Sequence, residues 1–511
     1  MKQPISTPMN KFFAVIILPL LLAATAYAQK SSLSVSLANS TASECDIWIY
    51  NAVQRFEQGQ KGYLPLILDK NKHISHTFSF TQPQFIKLYC SSDTADSKHF
   101  TYNIFIMPGD HISIKADFKQ QSYGITVSGR GSKNNQPTIS SLADIDLKKF
   151  YGDTLPNRII AAINKKQVTD KRALNNYIRK YKPSEAFVKA SRINLEYFPY
   201  EAYYTFKEEL KYNIGQAYTR NIASWQKIQD SLSSRVLLNN EAALVSFNYT
   251  ELIGDFLLRE KERLWQVRYK EPETFFKQWY NADVAEGTKL YDDDPENLLQ
   301  EKIIKKYFTG RCAGYLYAVL LHGAIDVNDP KNVVAIFNRF KQKYPAASWF
   351  KPEIDTIIKR EQRTLNGKMV FVAGNGTNLN TIEDVVALTK GKTVLLDMWG
   401  TWCGPCRQEM ENNSPAIRAY FKDKGLDYLF IANRDLKSED NWKKLIGYFD
   451  LEGTHILANA SLTKDIMTKV KGPGFPTYVI IKKDGTYELS KAGYPMNRAV
   501  LIKQLEAALA Q

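Results

Sequence analysis

The stretch TVLLDMWGTWCGPCRQEM, residues 393–410, limits the fold of this 511-residue chain more than any other. Residues 394–398 form an apolar run of strand length, interrupted only by Asp397, and lead directly to two cysteines separated by Gly404 and Pro405. A helix is expected to begin at the pair, since Pro405 has no N–H to lose in a first helical turn. Thiols so placed have three possible uses. A metal site needs two further ligands, yet no cysteine follows Cys406 and His455 is the only histidine after His322, so no metal ligand set is assigned. An inert disulfide between residues three apart constrains almost no chain entropy. The remaining use is a disulfide made and broken in turn, which needs no cofactor beyond itself. At a helix N-terminus, unpaired N–H groups and the macrodipole favour thiolate over thiol. That makes Cys403 the nucleophile. Cys406, one turn inward and less exposed, is placed to resolve a mixed disulfide.

The N-terminus sets the redox setting. Lys2 and Lys11 precede a short apolar core at 12–22, and Ala26-Tyr27-Ala28 is a small-x-small cleavage site, so residues 1–28 read as a signal peptide. The apolar run is shorter than the ~20 residues of a spanning helix, which disfavours a membrane anchor, and no cysteine at the cleavage site would carry a lipid. The expectation is a soluble, exported chain in the periplasm, with no transmembrane segment after cleavage.

Composition narrows the partners. The net charge of +15 is spread along the chain without a block of five like charges, so it reads as a solvated surface. No nucleic-acid partner is expected; in an exported chain a basic balance favours anionic surfaces. Five cysteines in so long a chain exclude a disulfide-stapled scaffold. Cys45, Cys90 and Cys312 are expected to be separate buried apolar thiols, with a Cys45–Cys90 pair as the alternative.

Three textures divide the mature chain into a multidomain order. Residues 29–138 read as a small antiparallel β-sandwich. In FTYNIFIMPGDHISIKADF, Tyr102, Ile104 and Ile106 alternate, Pro108-Gly109-Asp110 turns, and Ile112, Ile114 and Ala116 alternate again, which predicts a hairpin. SGRGSKNNQP, 128–137, lacks phosphate-loop spacing and reads as a linker. Residues 139–366 change to helical period, predicting an all-α region of eight to ten helices without a fixed repeat. There Asp294 is expected to cap a helix that Gly310 closes, and the tyrosines of YFPYEAYYTFKEELKY to pack in a helix core. From 367, strands alternate with helices. A hairpin (KMVFVAGNGTNLN), a helix near 382–388, the buried strand, LDYLFIAN, a helix in SEDNWKKLIGYFD, a hairpin turning at Asp484-Gly485 and a closing amphipathic helix predict a mostly parallel sheet.

VLLDMWGTWCGPC resembles thioredoxin, and residues 367–511 resemble the TlpA-like thiol-disulfide reductases of the bacterial envelope. The strand-rich and helical 29–366 resemble, more loosely, N-terminal extensions of such proteins from Bacteroidetes. The resemblance implies a C-terminal α/β thioredoxin-like domain at 367–511, with protein disulfides as substrates. In GFPTYVII it implies a cis Phe475-Pro476 bond that faces the cysteines and holds an incoming peptide. It makes Asp397 the buried acid that accepts a proton from Cys406, a role suited to a raised pKa; a partly solvated structural aspartate is the alternative. Trp402 flanks the nucleophile, with Gly404 and Pro405 beside it on the substrate side. Glu411 stands where the family usually has proline, and Ser414-Pro415 follows, so the active-site helix is expected to break near Asn413 and restart with Ser414 as its cap.

Gly-Pro between the cysteines offers the thiolate no extra donor, which predicts a low potential near thioredoxin's about −270 mV and hence reduction of substrates. A reductase outside the cytoplasm needs electrons, and the resemblance implies a membrane thiol relay as their donor. Apocytochrome c thiols, a partner enzyme's disulfide and general repair in redox homeostasis all fit as targets. The rival is a partner-binding envelope protein whose thioredoxin module is regulatory or vestigial. An isomerase would call for dimerisation, of which the sequence carries no sign.

Overall fold

A computed structural model describes residues 29–60, 62–91, 99–139, 141–344 and 350–511. The expected signal peptide at 1–28 lies outside the described residues. Among those described, no helix is long and apolar enough to cross a membrane.

Eight strands and one short helix open the described chain: β1 (Ser31–Ala38), β2 (Glu44–Ile49), α1 (Ala52–Glu57), β3 (Leu64–Ile67), β4 (His73–Phe78), β5 (Gln84–Ser91), β6 (His99–Ile106), β7 (His111–Asp117) and β8 (Thr126–Arg130). They form two four-stranded sheets, ordered β4-β1-β7-β8 and β3-β2-β5-β6. Alternation buries one face of each strand, so Leu33, Val35, Ile47, Ile104 and Ile112 meet in one core between the sheets. The sandwich is as expected, but three local expectations fail. First, β6 and β7 are not a hairpin. The turn at 107–110, closed by Asp110 Oδ2 accepting from the Met107 N–H at 2.9 Å, carries the chain from one sheet to the other, and β7 pairs parallel to β1. Period two fixes which face is buried, not which strand is the neighbour. Second, 128–137 is no loose linker. β8 pairs with β7, and buried Asn135 exchanges hydrogen bonds with the backbone of Phe105 on β6 (2.7 and 2.8 Å). Third, Cys45 and Cys90 are a disulfide, not separate thiols. They face each other in the β2–β5 register with Cα atoms 4.3 Å apart, a register that neither cysteine's surroundings in sequence reveal.

Helices follow: α2 (Asn157–Tyr181), α3 (Glu185–Ile214), α4 (Gln216–Arg220), α5 (Ile222–Ser233), α6 (Phe247–Lys270), α7 (Pro272–Tyr280), α8 (Val284–Asp293), α9 (Asn297–Tyr307), α10 (Gly310–Asp326), α11 (Val333–Lys343) and α12 (Lys351–Glu361). These are eleven among the described residues rather than eight to ten, because short turns such as α4 carry too little periodicity to read. Tyr197, Tyr200, Tyr203 and Tyr204 are buried as expected. Asp294 accepts from the N–H groups of Glu296 and Asn297 (3.0 and 2.7 Å) just ahead of α9, but the N-cap is Glu296, two residues later than expected. Gly310 does not close α9 but begins α10, in the left-handed region at φ 52°. Cys312 is the free, buried thiol expected, 3.2 Å from the Tyr249 hydroxyl.

The last region comprises β9 (Met369–Phe371), α13 (Ile382–Leu388), β10 (Thr393–Trp399), α14 (Gly404–Asn412), α15 (Ser414–Phe421), β11 (Leu426–Asn433), α16 (Glu439–Phe449), β12 (Gly453–Ala458), α17 (Ala460–Lys469), β13 (Thr477–Ile481), β14 (Tyr487–Leu489) and α18 (Arg498–Leu509). The sheet order is β14-β13-β10-β11-β12-β9, with β10, β11, β12 and β9 parallel and β13 and β14 antiparallel at one edge. This is the thioredoxin-like α/β arrangement expected, with one correction. KMVFVAGNGTNLN is not a hairpin: β9 pairs parallel to β12 as an edge strand, and the glycines make a tight turn instead. β10 is central and every residue in it is buried. The apolar core of α6, α9 and α10 continues without a break into Trp399, Cys403, Cys406 and Met410.

Candidate active site

β10 ends at Trp399, and four residues later Cys403 is the N-cap of α14, with extended backbone (φ −85°, ψ 96°). Its sulfur accepts the backbone N–H of Cys406 at 3.2 Å, the position a capping oxygen normally takes. Gly404 and Pro405 supply the first turn. Cys403 and Cys406 are joined as a disulfide, with Cα atoms 5.3 Å apart. The turn is held from the end of β11 and the loop after it: Asp435 accepts from the Thr401 N–H (2.8 Å) and hydroxyl (2.7 Å), and Asn433 donates to the Trp399 carbonyl. These ties set Cys403 at the N-terminal end of α14, where the Cys406 N–H meets its sulfur and the helix dipole favours a negative charge.

The remaining predicted site residues divide. Phe475-Pro476 is cis, and Thr477, next in sequence, pairs with Met398 near the end of β10, so the proline stands at the level of the cysteine turn. Trp402 is 45% exposed; its ring meets Phe475 edge-on at 5.7 Å, its Nε1 donates to the Asn433 carbonyl at 3.0 Å, and Arg434 lies over it. In front of Phe475 opens a mostly apolar groove of about 520 Å³.

Asp397 lies on the same face of β10 as Leu395 and Trp399, the face covered by α14 and α15. It is 5% exposed and its Oδ1 has no hydrogen-bond partner. Burial, and secondly the nearby Glu409 carboxylate, push its pKa up to about 8. The partly solvated alternative does not describe it. A carboxyl poised near neutrality, behind the helix that carries both cysteines, can take or return a proton.

Sequence reading missed two features. Glu409 is buried, accepting from the Met496 N–H (3.0 Å) and the Asn413 amide (2.5 Å). Its spacing three after Cys406 puts it on an inward face, a signal that was there to use. The helix breaks at Asn413 as expected, but Ser414 begins α15 rather than capping it. The second feature had no local signal. The turn after α10, residues 326–329, lies on the site: a Cβ at Gly404 would be 3.5 Å from Val327 Cβ, and the Arg407 Nε donates to the Val327 carbonyl at 3.0 Å. Both cysteines are buried, Cys403 at 3% and Cys406 at 1% exposure, and the turn packs beside them against Gly404. The expected difference in exposure between them is small in this oxidised form.

Residues 372–507 match the Redoxin family model. The thiol-disulfide oxidoreductase ResA of Bacillus cereus is 38% identical over 96 residues, covering 19% of this chain and 52% of that protein. The thioredoxin-like protein YneN of Bacillus subtilis is 32% identical over 104 residues, covering 20% and 54%. The chain thus spans about half the length of the curated relatives it matches. Among solved structures, the thioredoxin domain of a thiol-disulfide oxidoreductase from Bacteroides vulgatus aligns at 24% identity over 23% of this chain and 83% of that one, with a TM-score of 0.21.

Proposed function

We propose that the chain is an extracytoplasmic thiol-disulfide oxidoreductase that reduces protein disulfides through Cys403 and Cys406, with 367–511 as its redox domain. The observation that carries this reading is Cys403 at the N-cap of α14, its sulfur bonded to Cys406 and accepting that residue's N–H. In the reduced enzyme the Cys403 thiolate attacks one sulfur of a substrate disulfide; a mixed disulfide forms and the other substrate sulfur leaves as thiolate. Asp397 accepts the Cys406 proton, and the Cys406 thiolate attacks Cys403 Sγ, releasing the reduced substrate and re-forming the internal disulfide. A dithiol donor, in this reading a membrane thiol relay, returns two electrons. Trp402, Phe475 and cis Pro476, beside Gly404 and Pro405, hold the substrate backbone. No cofactor beyond the disulfide and no metal enters the scheme. Export to the periplasm rests on the leader-like residues 1–28.

Insulin reduction by the full chain tests the reading. Wild type is expected to turn over, Cys403→Ser to be inactive, and Cys406→Ser to accumulate a mixed disulfide that identifies the substrate. Full activity in Cys403→Ser contradicts it. Equilibration with glutathione tests direction: a potential as oxidising as about −120 mV reverses the assignment from reductase to oxidase.

A further inference from the structure

The turn at 326–329 does more than touch the redox region. Arg407, on α14 immediately after Cys406, is 6% exposed; its Nε donates to the Val327 carbonyl and its Nη2 lies 3.6 Å from Asp329 Oδ2. Gln408 Nε2 donates to both the backbone and the side-chain oxygen of Asp326, at 3.2 Å each. The turn is the end of α10, a 17-residue helix whose Leu316, Leu320 and Leu321 are buried in the shared core. Arg360 of α12 also pairs in bidentate fashion with Glu411 of α14 (2.5 and 2.8 Å), which ties α14 to a second helix of the helical region. Val327 is therefore a wall held against Gly404, not a free loop. The opposite side is open: Trp402 is half exposed, and the groove before Phe475 is lined by Leu436, Met467 and Pro473, with Arg434 and Lys464 the charged residues on its wall.

Resting on the oxidoreductase reading, we propose that Val327 determines specificity by narrowing access to Cys403. The site takes disulfides carried on extended, apolar segments with acidic side chains, laid in the Phe475 groove. It rejects disulfides flanked by folded structure. Thiol–disulfide exchange needs the attacking sulfur to meet the scissile S–S bond end-on. A folded substrate brings bulk on both sides of that bond, and Val327 occupies one of them. An extended segment brings bulk along one line only, and the two cations match acidic groups beside it. The exchange itself is unchanged: two electrons pass from the Cys403–Cys406 dithiol to the substrate disulfide, and a dithiol donor restores them.

The full chain, reduced and freed of reductant, is assayed on insulin and on a linear acidic peptide bearing a mixed disulfide. Wild type is expected to favour the peptide by at least about tenfold in kcat/KM, and Val327→Ala to lose most of that preference by gaining rate on insulin, with its peptide rate within about twofold. Asp329→Ala, which releases the turn from Arg407, repeats the test should Val327→Ala fold poorly. An equal wild-type rate on both substrates, or a preference that both variants leave intact, overturns the proposal. A readout independent of reduction separates the two readings: N-ethylmaleimide should modify reduced Cys403 much faster than a polymer-linked maleimide does, and Val327→Ala should close that gap. If the gap is present but neither substrate is reduced, the oxidoreductase reading fails while the wall stands. If both reagents react alike, the wall is wrong.

Discussion

The molecule holds two disulfides with little in common beyond the bond. Cys45–Cys90 joins facing residues of paired strands, spans 45 residues of chain and lies inside the sandwich core. Cys403–Cys406 spans three residues and sits where a strand hands over to a helix. The first restricts the unfolded chain, worth about 4 kcal/mol in the loop-entropy account, whereas the second closes too short a loop for that. The first faces another strand's cysteine inside the apolar sandwich core. The second has the Cys406 N–H aimed at one sulfur, at the N-terminus of a helix, and a buried carboxyl near neutrality behind it. A disulfide's surroundings, more than its presence, decide whether it stores stability or exchanges electrons.

The contrast breaks most sharply by exchanging the losses. Cys403→Ser is expected to lower disulfide reduction by at least about a thousandfold, while Cys45→Ala/Cys90→Ala keeps the rate per folded molecule within about twofold; steady-state turnover on insulin measures both. In denaturant unfolding the order inverts: the Cys45/Cys90 variant loses about 4 kcal/mol, and Cys403→Ser much less.

Asp397 sharpens the second half of the comparison. Its carboxyl titrates near 4 when unfolded and is pushed up to about 8 when folded, so the folded chain holds the extra proton between those values. Stability from this group is present at low pH and declines as pH rises from about 4 to about 8. Asp397→Asn should flatten that decline and stabilise the fold at pH 8 by on the order of 2 kcal/mol, read by thermal unfolding across pH. The same variant should slow resolution of the mixed disulfide about tenfold or more, with loss of the rate increase that accompanies ionisation near pH 8. Smallest is Cys312→Ala, which removes the thiol facing the Tyr249 hydroxyl; about 1 kcal/mol of stability and no turnover should be lost.

The redox region was legible because its signals are local. An apolar strand, a CxxC pair, a proline fit for a first turn and GFPT each name a position without knowledge of distant residues. β12 and α17 carry local signals too, since THILA is apolar and Asn459 caps α17 by accepting from the Leu462 N–H at 2.8 Å. What stayed hidden is long-range. The pairing of Cys45 with Cys90 depends on the β2–β5 register, the crossing at 107–110 on which sheet each strand joins, and the Val327 contact on how α10 meets α14. Periodicity assigns faces; it does not say what lies opposite.

The most direct test of the account is alkylation of the fully reduced chain across pH, with each cysteine followed by mass spectrometry. The account predicts that Cys403 reacts first and half-titrates well below the about 8.5 of a free thiol, while Cys406 stays protected. Cys403 titrating at that ordinary value, or Cys406 reacting ahead of it, would contradict the assignment of Cys403 as the attacking thiolate.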